Sequence, residues 1–254
     1  MVIENHVYLW ALVGMASGTV LGVAGTGGGV IAIPLLMAFG GYDIKEASGY
    51  GLLALTVGGA ISWFIQRKNT SYLLAATLIV FAALVAFIAA PLKVISPHCL
   101  VNVLLNVTCL FSLYSLWVLR KPEDPGENFP LTYQLKTASI GGVMTGFLST
   151  MTGLGGGVVI IPWLTGITRL RIEQAMACSL LTIPVTAPIS AWRQDTFHLT
   201  VYEWCALGST ILLASLMIKK LLTYIPLPHL IIVRKLVLTA VICIAMMRTL
   251  YGLF

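Results

Sequence analysis

A glycine cluster able to break a helix occurs twice in this chain, at Gly25-Thr26-Gly27-Gly28-Gly29 and at Gly153-Leu154-Gly155-Gly156-Gly157. Both lie in apolar sequence, and each is followed by a proline five residues after its last glycine, Pro34 and Pro162. The two clusters are 128 residues apart, and the offset persists downstream. It pairs Ile44 with Ile172, Ala47 with Ala175, Leu52-Leu53 with Leu180-Leu181, Ile61-Ser62 with Ile189-Ser190, and Gln66 with Gln194. Pro97-His98 and Pro228-His229 match at an offset of 131, which marks a small insertion in the second half. Two copies of one apolar unit, each interrupted by glycines, are the pattern of membrane transporters assembled from repeats.

Composition supports a membrane setting. Of the 254 residues, 58% are hydrophobic and 9% are charged, whereas a soluble domain carries about a quarter charged residues. Apolar runs at roughly 45–66, 71–92, 98–119, 172–192, 199–218 and 229–250 are near the ~20 residues needed to cross a bilayer. Two further glycine-broken stretches lie at 7–40 and 136–168. The expected fold is an all-α polytopic membrane protein, located in the cell (inner or plasma) membrane. The leading residues carry Glu4 and no basic n-region, and their segment recurs in the second half, so they read as part of the fold rather than as a cleaved signal.

The net charge of +6 is carried by residues at span ends. That placement fits cytoplasmic loops obeying the positive-inside rule, not a nucleic-acid surface. Cys99, Cys109, Cys178, Cys205 and Cys243 show no metal-ligand or haem spacing and read as small packing residues. No metal, cofactor or disulfide is expected.

A continuous helix over 7–40 would run about 51 Å, against ~30 Å of hydrocarbon. Glycine also costs ~1 kcal/mol relative to alanine inside a helix, so a break is expected. If each broken stretch is a hairpin that returns to its own side, each half adds three full crossings. Arg67, Lys68, Arg120, Lys121, Lys136, Arg169, Arg171, Lys219, Lys220, Arg234 and Lys235 then share one side, and Lys45, Lys93, Arg193 and Arg248 the other. Single crossings would spread the basic residues almost evenly. The hairpin reading satisfies the positive-inside rule. Its odd number of crossings turns the two repeats upside down relative to one another. The expected organisation is a first transmembrane repeat at 1–119, a cytoplasmic linker at 120–135 and a second repeat at 136–254, with both termini outside.

In such a hairpin the returning half-helix begins at the glycines. Its first N–H groups lack intrahelical partners and carry roughly half a positive charge. Glycine lets a ligand approach that backbone closely. Two such ends near the midplane amount to about one positive charge without a lysine or arginine, a setting for a small anion. Pro34 and Pro162 lack an N–H and belong in a first turn, so the half-helix starts somewhere between Gly27 and Pro34.

With its duplicated Gly-x-Gly-Gly-Gly, the following prolines, the paired halves and the overall length, the chain resembles the sulfite exporter TauE/SafE family. The resemblance covers essentially the whole chain. It implies movement of sulfur oxyanions or organosulfonates such as sulfite, thiosulfate or sulfoacetate. It departs from the family in the next segment, usually Ala-x-Gly-Thr-Ser. Here that segment is Ala47-Ser48-Gly49-Tyr50-Gly51 in one half and Ala175-Met176-Ala177-Cys178-Ser179 in the other. Only Ser179 of the hydroxyl pair stays in place, with Ser48 and Tyr50 as substitutes.

The expected substrate-binding residues are therefore Gly25, Thr26, Gly27, Gly28, Gly29, Thr152, Gly153, Gly155, Gly156, Gly157 and Ser179. Thr26, Ser149, Thr150 and Thr152 flank the glycines; such hydroxyls either donate to an anion or bond their own helix backbone. Thr182, Thr186 and Ser190 surround Pro184 and Pro188 and read as ordinary kinked packing. Gln66 and Gln194 are expected to snorkel to the interface, and His98, His198 and His229 lie near span ends. Asn102 and Asn106 stand one turn apart and suit helix–helix bonding.

Glu46, Glu173 and Glu203 are near span ends, so no carboxylate relay for proton coupling is visible. An inside-negative potential pushes an anion outward by ~2.3 kcal/mol per charge per 100 mV. Export therefore needs no coupling ion, and the reading is an exporter or facilitator of a small anion rather than an enzyme. The alternatives are an importer of a related anion coupled to protons or sodium, and a non-transporting membrane assembly factor. The expected partners are a small anionic substrate and the lipid bilayer.

Overall fold

The helices form where the apolar runs lie, and the glycine clusters interrupt them. The computed structural model describes residues 2–24, 28–117, 130–168, 170–194 and 199–222, with 236, 239–240, 242–244 and 246–247 near the C-terminus. These residues form α1 (Val2–Ala24), α2 (Gly29–Phe39), α3 (Ile44–Gln66), α4 (Tyr72–Ile95) and α5 (His98–Trp117) in the first half. The second half contributes α6 (Leu131–Thr152), α7 (Gly157–Ile167), α8 (Ile172–Arg193) and α9 (Val201–Leu222). No strand occurs among the described residues. Segments at Ile44–Asn69, Tyr72–Ile95, Glu173–Arg193 and Val201–Ile218 are long and apolar enough to cross a membrane, with shorter apolar helices beside them. The linker core and most of the 229–250 run lie outside the described residues.

Local chemistry sets several of the boundaries. Asp43 caps α3 by accepting from the Ile44 N–H at 2.6 Å, while the Glu46 carboxylate accepts from the Asp43 N–H at 3.3 Å. That reciprocal capping box satisfies donors a helix start leaves open. Thr200 and Glu203 do the same at the start of α9, with the Thr200 N–H donating to Glu203 Oε2 at 2.7 Å. At the end of α6, Gly153 has φ +73°, a left-handed conformation that favours glycine, and its N–H closes the helix on the Ser149 carbonyl. Gly155 follows at φ +83°, so the second break depends on glycine at two places.

Both glycine-broken stretches are hairpins. Gly28 rests against Ser17, and Ser17 Oγ donates to the Gly28 carbonyl at 3.3 Å. Ser17 lies well inside α1, so α2 starts partway back along the helix it leaves. Gly156 meets Thr145, the repeat counterpart of Ser17, in the same way, and Trp163 further along α7 reaches Gly141 and the Thr137 carbonyl. The returning helices α2 and α7 have 11 residues each, about 16 Å, roughly half a bilayer core.

Glycine also decides which helices sit together. Gly14, Gly18 and Gly22 on α1 face Leu207, Ile211 and Ile218 of α9 in ascending order, so the two helices run parallel with their backbones close. Their counterparts Gly142 and Gly146 on α6 face Leu78 and Ala82 of α4, again in ascending order. A small residue every fourth position lets membrane helices approach this closely. Each half thus lends its fourth helix to the other. One core cluster joins α1, α2, α5 and α9 through Trp10, Leu21, Ile33, Leu105 and Ile211; another joins α4, α6, α7 and α8 through Leu78, Ala138, Ile160 and Cys178.

Between these clusters, Leu52, Leu53 and Leu55 of α3 meet Ile183, Ala187 and Ala191 of α8. Lys45 at the start of α3 reaches the Val94 carbonyl at the end of α4, so those two helices are antiparallel. Cys178 near the start of α8 lies by the Ser71 carbonyl before α4, and Lys93 binds Gln194 where both helices finish. Helix α8 therefore runs with α4 and against α3, its own repeat counterpart. The outer faces stay apolar: Leu84, Ile88 and Ile95 of α4 are 58%, 65% and 82% exposed. A row of exposed large apolar side chains suits lipid rather than water.

Candidate functional site

The first residue of α2 meets the second glycine break. A Cβ built on Gly29 would lie 2.6 Å from the Gly153 carbonyl oxygen, 2.8 Å from Leu55 Cδ1 and 3.1 Å from the Leu154 backbone. The start of α2 is therefore seated directly on the second break. Gly153 rests on Ser48, a Cβ built on Gly51 would lie 3.5 Å from the Gly153 carbonyl oxygen, and Gly155 lies against Leu55; Ser48, Gly51 and Leu55 are all on α3. Gly29 and Gly153 are thus in direct contact, while Gly28 and Gly156 rest on Ser17 and Thr145 of the helices that precede them. Gly25, Thr26 and Gly27 lie outside the described residues.

Helices α2 and α7 begin at Gly29 and Gly157, with glycine N-caps that have no side chain to bond the first turn. The earliest backbone bonds run from the Ile31 and Ala32 N–H groups to the Gly28 carbonyl, and from Val159 and Ile160 to Gly156. The N–H groups of Gly29, Val30, Gly157 and Val158 precede those bonds and are the ones a ligand can use. This start corrects the expectation for the prolines. Pro34 and Pro162 are the sixth residues of their helices, not first-turn residues. With no N–H, each frees the carbonyl four residues earlier, Val30 and Val158, beside the same breaks.

The hydroxyls divide into satisfied and unsatisfied groups. Thr152 is fully buried; its Oγ1 donates to the Leu148 carbonyl at 2.7 Å and accepts from the Leu154 N–H at 3.3 Å. It braces the break by bonding its own chain. Thr150 and Ser190 pair at 2.7 Å, linking α6 to α8. Thr182, Thr186 and Ser190 bond the carbonyls one turn back along α8, at 2.9, 3.1 and 3.1 Å. Those bonds suit the kinked packing expected around Pro184 and Pro188. In contrast, Ser179, Thr145 and Ser62 are buried with no partner for their hydroxyls. Thr145 touches Gly156, and Ser179 is the repeat counterpart of Gly51, which faces Gly153. A buried hydroxyl without a partner is costly, so these positions suit a bound polar ligand.

Of the two substitutes for the missing hydroxyl, Ser48 contacts the break and Tyr50 does not. Tyr50 packs edge-on against Trp10 at 5.4 Å and tilted against Tyr42 at 5.0 Å. Burial pushes the hydroxyl of Tyr42, in the loop before α3, above its usual range, with Tyr50, Glu203 and Glu46 adding to the effect. Asn106 bonds the Asn102 carbonyl of its own helix at 2.8 Å. His98 is exposed and lies 3.1 Å from Asp43 at the start of α3, a surface pair rather than a deep proton site.

One group escaped the sequence reading. Lys93, expected at an exposed span end, is 1% exposed, and its Nζ donates to Gln194 Oε1 at 2.7 Å. Gln194 therefore does not snorkel outward. Its position at the C-cap of α8 brings its amide over the end of α4. The available signal was Lys93 as the sole charge in α4, two residues after Pro91.

Two glycine-broken hairpins, half-length returning helices and lipid-suited outer faces fit a multi-pass α-helical membrane transporter. The family model for the sulfite exporter TauE/SafE matches residues 10–247, and the chain belongs to that family. It is 28% identical over 193 residues to a protein described as a probable membrane transporter from Methanocaldococcus jannaschii, covering 70% of this chain and 68% of that one. It is also 28% identical over 174 residues to a probable membrane transporter protein of Xylella fastidiosa, covering 65% of each. No solved structure matches the chain.

Proposed function

We propose that this protein moves small sulfur-containing anions such as sulfite, thiosulfate or organosulfonates outward across the membrane, as an exporter or facilitator. The observation that carries the reading is the seating of the α2 start on the second glycine break, beside the start of α7. Together the two half-helices supply about one positive charge at mid-depth, held by backbone groups. The unpartnered hydroxyls of Thr145, which touches Gly156, and of Ser179, the repeat counterpart of Gly51, are the further donors in this reading. The family name points the same way, and the relatives' names support transport alone.

The efflux test uses proteoliposomes loaded with labelled sulfite, thiosulfate, sulfoacetate, sulfate or chloride. Protein-dependent efflux of at least one sulfur anion, faster than chloride, is the expected result. Efflux equal to empty vesicles for every anion rejects the reading.

The same proposal includes an inverted repeat with the division 1–119, 120–135 and 136–254. Counterpart helices α3 and α8 running against each other support it, as does the charge of the helix ends. Arg67, Lys68, Arg171 and Lys220 gather at one end, and Lys45, Lys93 and Arg193 at the other. The larger basic group belongs in the cytoplasm. A reporter that fluoresces only in the cytoplasm is expected to light up after Lys121 and stay dark after Phe254. Fluorescence at both points sinks the inverted arrangement.

A further inference from the structure

Lys93 and Gln194 present hydrogen-bond donors with too few acceptors. The Lys93 ammonium is buried and has one bond among the described residues, to Gln194 Oε1. An ammonium carries three donors, so two are left over. The other end of the same amide, Gln194 Nε2, is buried with no partner at all. No described carboxylate pairs with Lys93, and its charged neighbour Lys45 has the same sign and is occupied with the Val94 carbonyl. A charge taken out of water and left without a counter-charge is among the most costly arrangements in a protein.

The location relates this pair to the transport path. Gln194 lies one turn beyond Ser190, and Ser190, Thr186 and Thr182 follow at successive four-residue steps on one face of α8. Ser190 is bonded to Thr150, three residues before the second glycine break. A buried polar stripe therefore connects the break to the ammonium at the end of α4, the end that carries few basic residues.

We propose that Lys93 and Gln194 form a second anion site, an exit-side station that binds a small oxyanion after it leaves the glycine breaks. The ammonium supplies the charge and two donors, and the Gln194 amide supplies a donor at a fixed angle because its oxygen is held by Lys93. This inference rests on the anion-transport reading. Asp195, next in sequence to Gln194, lies outside the described residues and is the competing counter-ion that the experiment must separate.

Thermal unfolding of the purified full chain in lipid nanodiscs, titrated with sulfite, thiosulfate and sulfate, makes the distinction. The variants are Lys93→Met, Lys93→Arg, Gln194→Leu and Asp195→Asn. In anion-free buffer Lys93→Met is expected to raise the Tm, because it removes a buried charge that has no counter-charge among the described residues while keeping the volume. The half-saturating anion concentration should rise roughly tenfold or more in Lys93→Met, the scale of one charge-assisted hydrogen bond. It should stay within about threefold of the parent in Lys93→Arg. Gln194→Leu should fall between them. A lower Tm for Lys93→Met, matched by a lower Tm for Asp195→Asn, would assign Lys93 to a structural ion pair and overturn the site. Unchanged anion titration in Lys93→Met would overturn it as well. If no anion stabilises the parent protein, it is the transport reading that fails, and the site falls with it.

Discussion

Gly29→Ala is expected to lower substrate flux roughly a hundredfold, the scale of a displacement of about 1 Å at a reacting or binding centre. The added methyl would lie 2.6 Å from the Gly153 carbonyl oxygen and 2.8 Å from Leu55 Cδ1, with a backbone atom of Leu154 at 3.1 Å. Leu55 can turn aside, but the two backbone neighbours cannot. The methyl must push the start of α2 off the second break, separating the two half-helix ends whose charges act together. Gly208→Ala is the matched control, since its methyl would meet only Val57 Cγ1 at 3.7 Å, an ordinary contact. Both proteins should insert and purify alike, because one methyl at a helix start leaves the spans unchanged. Parent-level flux in Gly29→Ala would move the substrate site away from the breaks.

An imposed membrane potential is expected to dominate the direction of transport. Neither break has an ionisable side chain, and among the described residues Glu203 and Glu46 are committed to helix caps. Each anionic charge moved across 100 mV gains ~2.3 kcal/mol, which corresponds to roughly a fiftyfold accumulation ratio. With pH and sodium equal on both sides, a potassium–valinomycin potential should concentrate a monovalent substrate in the positive compartment by about that factor. A divalent anion should respond with the square of the ratio. Flux indifferent to the potential but driven by a proton or sodium gradient would reject a uniport and require a coupling site.

The repeat made the helices and their breaks readable, because glycine and proline act on the local backbone and leave the same mark in both copies. The hairpins followed from length and charge: α1 and α2 together exceed the bilayer, and the basic residues gather on one side only if α2 turns back. Partner choice was not readable in the same way. An offset of 128 residues says that α1 and α6 are equivalent, not that α1 must find α9 and α6 must find α4. The Gly14, Gly18 and Gly22 spacing announces a close neighbour without naming it. Lys93 illustrates the same limit at the scale of one side chain. Near a span end a lysine can reach water along its stem, and only the arrival of the α8 terminus over α4 encloses it. Ser48 and Tyr50 were equal candidates in sequence, but helix α3 sends one to the break and the other to Trp10.

The exchange of fourth helices sets the order in which this protein can be built. Ser215 of α9 bonds the Gly18 carbonyl of α1 across 197 residues of chain. At a synthesis rate of about 5–20 residues per second, α1 waits roughly 10–40 s for that neighbour. During that time its glycine face, with Gly14 and Gly18, has only lipid or a chaperone to cover it. Helix α4 likewise stays in the bilayer without its partner until α6 is inserted. Neither half can therefore mature as a unit while it is being made, and the insertion machinery must hold an open first half until the second half interlocks with it.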